Sequence, residues 1–213
     1  MEKLIILGTG GHARSVMDIL LQNNDFDIIG CVGPESCEVL GQPVIGNDND
    51  LEAFFLRGIK NIFVAVGDNR LRDGLFQKVK SIGFRPINII SSYAMISPRA
   101  HLGNGICVMA GAVINVNTII EDNSIINTHC SIDHDCYIGR SAHIAPGVAL
   151  SGTVKIGTGV QVGTGASVID GVTIGDWAFI GGGAAVVRNI PEGVLAYGVP
   201  ARIIRKISSR EES

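Results

Sequence analysis

The stretch Thr128-His129-Cys130-Ser131-Ile132-Asp133-His134-Asp135-Cys136 gathers two imidazoles and two carboxylates into nine residues. A neutral imidazole, with an ordinary pKa of about 6.5, takes a proton from an amine or hydroxyl well when a carboxylate orients its other ring nitrogen. His134 is therefore a candidate general base. Either Asp133 or Asp135 is a candidate orienter, because neighbours along an extended strand point to opposite sides and only a bend at His134 brings Asp135 round. His143, immediately before Ile144, is likewise available to a groove.

A second chemical signal lies at the other end of the chain. Leu4-Ile5-Ile6-Leu7-Gly8 reads as a buried strand, and Thr9-Gly10-Gly11-His12 leads into a helical pattern over Ala13, Val16, Met17, Leu20 and Leu21. Amides at such a loop and helix start can face a diphosphate. Gly8, Gly10 and Ala13 match the dinucleotide pattern G-x-G-x-x-A. The acid that would hold a ribose after the second strand is missing, since Cys31-Val32-Gly33-Pro34 stands there, so an NAD site is not expected.

The elements that must position these groups fall into two kinds. From Ile96 to Val186 every sixth residue is aliphatic, and the residue two before each is small or β-branched, among them Ala100, Ala112, Thr118, Cys130, Cys136, Ala142 and Ala184. Neither a helix nor a simple strand repeats every six residues, whereas a hexapeptide β-solenoid with three hexapeptides per triangular coil does. Gly103, Gly139, Gly157, Gly163, Gly175 and Gly181 are read as corner residues that permit its turns. Ile132 then points inward, with Asp133 and His134 on the outer surface or the approaching corner. Before the solenoid, strands at Asp27 to Val32 and Ile62 to Val66 alternate with helices near Leu51 to Leu56 and Leu71 to Ile82, and Ile87 to Ile90 reads as a last strand. That alternation predicts a small parallel sheet whose ligand loops are Gly8–His12 and Val66-Gly67-Asp68-Asn69. The expected domains are 1–91, Rossmann-like, and 92–213, a parallel β-helix with a C-terminal tail.

Bulk properties narrow the function. A net charge of −3 and a pI near 5.9 give no broad basic surface for nucleic acid. The start Met1-Glu2-Lys3 has no basic leader and no run reaches membrane-spanning length, so a cytoplasmic protein without membrane insertion is expected. Of the five cysteines, Cys130 and Cys136 fall on the inward row and read as small hydrophobes rather than metal ligands.

Taken together, Gly8–His12, Val66–Asn69, Asn127-Thr128, Ile132–Gly139, His143-Ile144-Ala145-Pro146-Gly147 and Gly198-Val199-Pro200-Ala201 resemble the NeuD family of bacterial sugar acetyltransferases, and within it the PglD-like N-acetyltransferases. The resemblance implies a left-handed β-helix, a homotrimer with acetyl-CoA between neighbouring solenoids, and no metal. It implies His134 as general base with Asp135 raising its basicity, in a position where the PglD-like enzymes carry Glu. It places Asn127 near the reacting amine; Gly10, Gly11, His12 and Gly67 on the sugar nucleotide; and His143, Gly152, Thr164 and Gly182 along acetyl-CoA. The expected reaction is direct acetyl transfer from acetyl-CoA to a nucleotide-linked, UDP by expectation, 4-amino-6-deoxy sugar. The Gly152 N–H is a candidate oxyanion donor, and Arg202, Arg205 and Lys206 are either partners for CoA phosphates or part of a solvated tail.

Three other functions fit parts of the sequence. O-acetylation of a sialic acid would use the same base and donor. A zinc enzyme of the γ-carbonic-anhydrase kind would use His129 and His134, but the residues one and two coils before His129 are Gly111 and Tyr93, so the third histidine is absent. A non-catalytic nucleotide-binding scaffold would bind nucleotide without acetyl-CoA.

Overall fold

The computed structural model describes residues 1–34 and 38–207. The chain divides into two compact units, Met1–Ile89 and Ile90–Ser213.

The first unit runs β1 (Glu2–Leu7), α1 (Gly11–Asn23), β2 (Phe26–Val32), β3 (Val44–Gly46), α2 (Leu51–Leu56), β4 (Asn61–Val64), α3 (Asn69–Ile82) and β5 (Arg85–Pro86). Its strands are parallel in the order β3-β2-β1-β4-β5. Ile5 and Leu7 of β1 pack with Leu51, Phe54, Phe76, Val79 and Phe84 on one side, while Leu4 and Ile6 are equally buried and α1 buries Ala13, Val16, Met17 and Leu20. The chain steps from β1 to β2 and β3, then returns to place β4 on the other flank of β1. The crevice outside the carboxyl ends of β1 and β4 is therefore the switch point where such sheets bind ligands. Two expectations change here. Val44–Gly46 adds a strand the pattern did not announce. Ile87 to Ile90 is not one strand: the edge position goes to Arg85–Pro86, where a proline without an N–H is tolerated, and Ile89–Ile90 (β6) opens the solenoid.

From β6 to β22 (Ala185–Val186) the second unit is a succession of two-residue strands, one every six residues. They stack into three parallel sheets: β7 through β22 in steps of three, β8 through β20, and β6 through β21. These are the first, second and third faces. Each strand pairs with the one 18 residues on, as in Ser131↔Ala149 and Ile132↔Leu150. The aliphatic row is at most 2% exposed from Val108 to Val186, and only Ile96 and Leu102, on the first coil with one neighbour, are partly buried. Polar members of the companion row are satisfied internally: Thr118 Oγ1 donates to Asp133 O at 2.8 Å and Ser124 Oγ to Gly139 O at 3.0 Å. Cys130 and Cys136 are buried in it, and burial pushes both thiols up to about 11.

At the glycines named as corner residues a side chain would indeed obstruct the coil, and the obstruction is by the next coil. They do not adopt left-handed backbone; they allow close stacking, since a Cβ at Gly139 would lie 2.7–2.9 Å from the backbone of Gly157 and Thr158. The left-handed corner conformation falls on other residues, including Asn117 (φ 59) and Asp135 (φ 58). After β22 the chain forms an antiparallel hairpin, β23 (Val194–Gly198) and β24 (Ala201–Lys206). Arg202, Arg205 and Lys206 are thus exposed residues of a strand rather than of a tail; the rest of the expected tail, 208–213, lies outside the described residues.

Candidate active site

His134 stands on the corner between the first and second faces, after β13 (Ser131–Ile132) and before β14 (Tyr137–Ile138). The left-handed backbone of Asp135 supplies the bend that an extended strand lacks, and brings its carboxylate beside the ring: His134 Nδ1 lies 2.8 Å from Asp135 Oδ2. Asp133 has a different partner, with Oδ1 accepting the His134 backbone N–H at 2.7 Å. The geometry thus makes Asp135 the orienter, and aspartate reaches despite being shorter than glutamate.

Both side chains of the pair are about half exposed. A carboxylate only accepts hydrogen bonds, so the neutral ring carries its proton on Nδ1 and presents a lone pair on Nε2. The hydrogen bond that His134 donates to Asp135 raises the His134 pKa above its ordinary value, reinforced by the charges of Asp133, Asp135 and Asp170. The Asp135 carboxyl is held below the usual range, first by the donated hydrogen bond of Asn117 and then by His134. One coil on, Gly152 clears the space that the imidazole occupies: a Cβ there would come within 2.6 Å of His134 Cε1 and 2.7 Å of Nε2.

The remaining expected residues of the solenoid gather on another corner, between the third and first faces. Asn127 follows β12 (Ile125–Ile126), and its Oδ1 accepts the Thr128 N–H at 2.8 Å. Its amide nitrogen therefore faces His143 Nε2 at 3.0 Å, with His143 on β15 (His143–Ile144) one coil later. Thr164 and Gly182 lie on the same corner in the two following coils, where the Gly183 N–H donates to Thr164 O at 2.8 Å. The first face separates this group from His134, Asp135 and Gly152. His129 also sits on the Asn127 corner, its ring over Gly111, so the histidine pair of the zinc reading is split between corners. No group of three or more His, Cys, Asp or Glu suited to a metal occurs among the described residues.

In the first unit, Gly10 precedes α1 as its N-cap, with no side-chain cap and no acidic residue in the first turn. The N–H groups of Gly11, His12 and Ala13 are thus presented by a helix start that favours an anion. Gly8 lies against the backbone of Ala65, where a Cβ would meet Ala65 O, which brings the glycine loop beside the loop after β4. Asp68 is occupied in capping α3, accepting from Leu71 N at 2.7 Å. His12 is largely buried, its Nε2 has no hydrogen-bond partner among the described residues, and burial, then Arg72, lowers its pKa to about 4. It is a neutral ring at neutral pH.

Sequence patterns missed two kinds of residue. Arg72 is 1% exposed and donates to Val66 O, Gly67 O and Asn69 Oδ1 at 2.8–3.1 Å, tying down the Gly67 loop; a lone arginine in a helix carries no signal of that. Asn115 and Asn117 each donate to a carboxylate beside His134. Their signal was present, since each stands 18 residues, one coil, before its partner.

Residues 3–79 match the family model of the PglD N-terminal domain. Over both units the chain resembles PerB from Caulobacter crescentus, solved in complex with CoA and GDP-perosamine: 42% identity, 96% of this chain and 98% of that one covered, TM-score 0.93. It also resembles the acetyltransferase domain of PglB from Neisseria gonorrhoeae, at 34% identity, with 96% and 100% covered and TM-score 0.92. That domain was also solved in complex with acetyl coenzyme A. An uncharacterized protein of Acanthamoeba polyphaga mimivirus is 33% identical over 102 residues, and the chain spans 20% of that curated relative's length. The solenoid shares the left-handed parallel β-helix of these acetyltransferases. With its first unit and its coils in that common frame, the chain belongs to the PglD-like family of hexapeptide-repeat sugar acyltransferases.

Proposed function

We propose that this protein transfers the acetyl group of acetyl-CoA to the amine of a nucleotide-linked 4-amino-6-deoxy sugar, with His134 as general base. The observation that carries the reading is the His134–Asp135 pair at 2.8 Å, which leaves Nε2 as the acceptor at a half-exposed corner. An amine with a pKa near 8 is largely protonated at neutral pH, so a positioned base matters. The nitrogen attacks the thioester carbon, the C–N bond forms as the C–S bond breaks, and the amine proton passes through His134 Nε2 to the departing thiolate. The glycine loop at Gly10, Gly11 and His12, with Gly67 beside it, holds the diphosphate. His143, Gly152, Thr164 and Gly182 line acetyl-CoA, and Asn127 stands near the reacting amine.

The division of these residues between two corners supports a homotrimer. When the His134 corner of one copy meets the Asn127 corner of the next, the contact is heterologous, and three such contacts close a ring. The nucleotide is UDP by the family resemblance, while 42% identity to a protein solved with GDP-perosamine favours GDP.

The test is incubation of the protein with acetyl-CoA and a panel of UDP- and GDP-linked 4-amino-6-deoxy sugars plus free sialic acid, following CoA release and product mass, with His134→Ala alongside. Histidine-dependent acetylation of an amino sugar is the expected result. Acetylation of sialic acid alone moves the protein to the O-acetyltransferase branch, and nucleotide binding without turnover leaves a scaffold.

A further inference from the structure

We propose that Asn115 and Asn117 are positioning residues for the base: by fixing the two carboxylates that flank His134, they hold its imidazole as the Nδ1–H tautomer with Nε2 ready to accept a proton. The inference rests on the reading of His134 as base, and extends it one coil earlier.

The two asparagines make parallel contacts. Asn115 Nδ2 donates to Asp133 Oδ1 at 3.2 Å, and that oxygen also receives the His134 backbone N–H at 2.7 Å. Asn117 Nδ2 donates to Asp135 Oδ1 at 3.0 Å, leaving Oδ2 for His134 Nδ1 at 2.8 Å. Each oxygen of the Asp135 carboxylate thus has an assigned partner, and the plane that meets the ring is set from the preceding coil. Backbone contacts complete the template: the Asp135 N–H donates to Val116 O at 3.0 Å, and Thr118 Oγ1 to Asp133 O at 2.8 Å.

Stacking alone does not ask for these residues. Above and below, the Asn115–Asp133 column contains Ser97, Ser151, Ile169 and Val187, and the Asn117–Asp135 column contains Arg99, Thr153 and Gly171. The solenoid tolerates hydroxyl and aliphatic residues in the first column, and cationic, hydroxyl and glycine residues in the second. Asparagine over aspartate occurs in both columns at one coil step only, the one that ends at His134. Asparagine is neutral, so it orients a carboxylate without competing with the imidazole for its charge. The charged groups that act on the ring are Asp133 and Asp135 on its own turn and Asp170 two coils on.

The test uses Asn117→Gly, which keeps the left-handed backbone (φ 59) and removes only the amide, together with Asn117→Asp and Asn115→Ala, all in the full chain. Ring nitrogen NMR shifts of His134, assigned with His134→Gln, report tautomer and titration without any substrate. Expected for Asn117→Gly are a mixture of tautomers, a His134 titration lower than wild type, and a kcat reduced about tenfold, on the order of one net hydrogen bond, with KM for acetyl-CoA unchanged. Asn117→Asp, which adds a carboxylate at the same corner shape, moves the titration upward. Wild-type tautomer and titration in Asn117→Gly, or an unmoved titration in Asn117→Asp, would overturn the proposal and leave Asn117 a corner residue. If no amino sugar is acetylated while the ring nitrogens still respond to both variants, the proposed function fails and the positioning role stands.

Discussion

A histidine that is half exposed has its basicity set by the few groups that touch it. Asp135 and the nearby Asp133 and Asp170 all favour the imidazolium, so the His134 pKa lies above its ordinary 6.5. The base works only when unprotonated; kcat/KM for acetyl transfer therefore rises with pH through a value above 6.5, and Asp135→Asn moves that limb downward. A pH–rate profile of the two proteins checks the sign. His134→Ala lowers turnover about 10²- to 10⁴-fold, and circular dichroism should be unchanged, because the side chain lies outside the core. Gly152→Ala places a methyl where the imidazole lies. We expect at least a tenfold loss of kcat, about 1.4 kcal/mol in the barrier, with folded structure retained as the exposed ring swings aside. A wild-type rate in that variant would mean that the ring position over Gly152 is irrelevant to turnover.

At the scale of the element, the solenoid depends on how closely successive coils approach. A Cβ added at Gly139 would meet backbone at 2.7–2.9 Å rather than movable side-chain ends, so Gly139→Ala forces two coils apart. The expected destabilisation is about 1–3 kcal/mol, read as a lower urea midpoint at unchanged slope. The start of α1 carries a different sensitivity. His12 titrates near 4 in the fold and at about 6.5 when unfolded, so between those values the unfolded state binds more protons. Stability contributed by its burial is therefore present above pH 6.5 and is lost as pH falls toward 4, by up to about 3 kcal/mol. Urea midpoints measured from pH 7 to 4 should fall less steeply in His12→Gln than in wild type.

At the scale of the whole molecule, the candidate residues of the solenoid lie on two different corners, His134, Asp135 and Gly152 on one and Asn127, Thr164 and Gly182 on the other. Under the proposed trimer, a complete site takes His134 and Asp135 from one copy and Asn127 from its neighbour. His134→Ala and Asn127→Ala proteins, each weak alone, should then regain activity when unfolded together and refolded as a mixture, because some interfaces pair an intact His134 with an intact Asn127. Mixtures no more active than the separate variants would place both residues in a site built by one copy. Sedimentation equilibrium supplies the oligomeric state independently. No helix among the described residues is long and apolar enough to cross a membrane.

Much of this was legible in the sequence, because an inward row repeating every six residues permits one kind of stack and a single slip would expose the whole row. The solenoid, the inward cysteines, the glycine loop before α1 and the candidacy of His134 all follow from type and spacing. The short edge strands of the first unit were not, since Val44–Gly46 and Arg85–Pro86 take their conformation from pairing rather than from pattern. The choice of Asp135 over Asp133 was likewise left to the tertiary structure, because it turns on one left-handed corner residue, which composition does not announce. The separation of Asn127 and His143 from His134 was decided there too: linear spacing counts residues, whereas a triangular coil sends residues seven apart to different corners. The sequence alone thus determined which groups are available for chemistry. The folded coil decided which of them meet within one chain, because contact depends on corner and coil rather than on distance along the backbone.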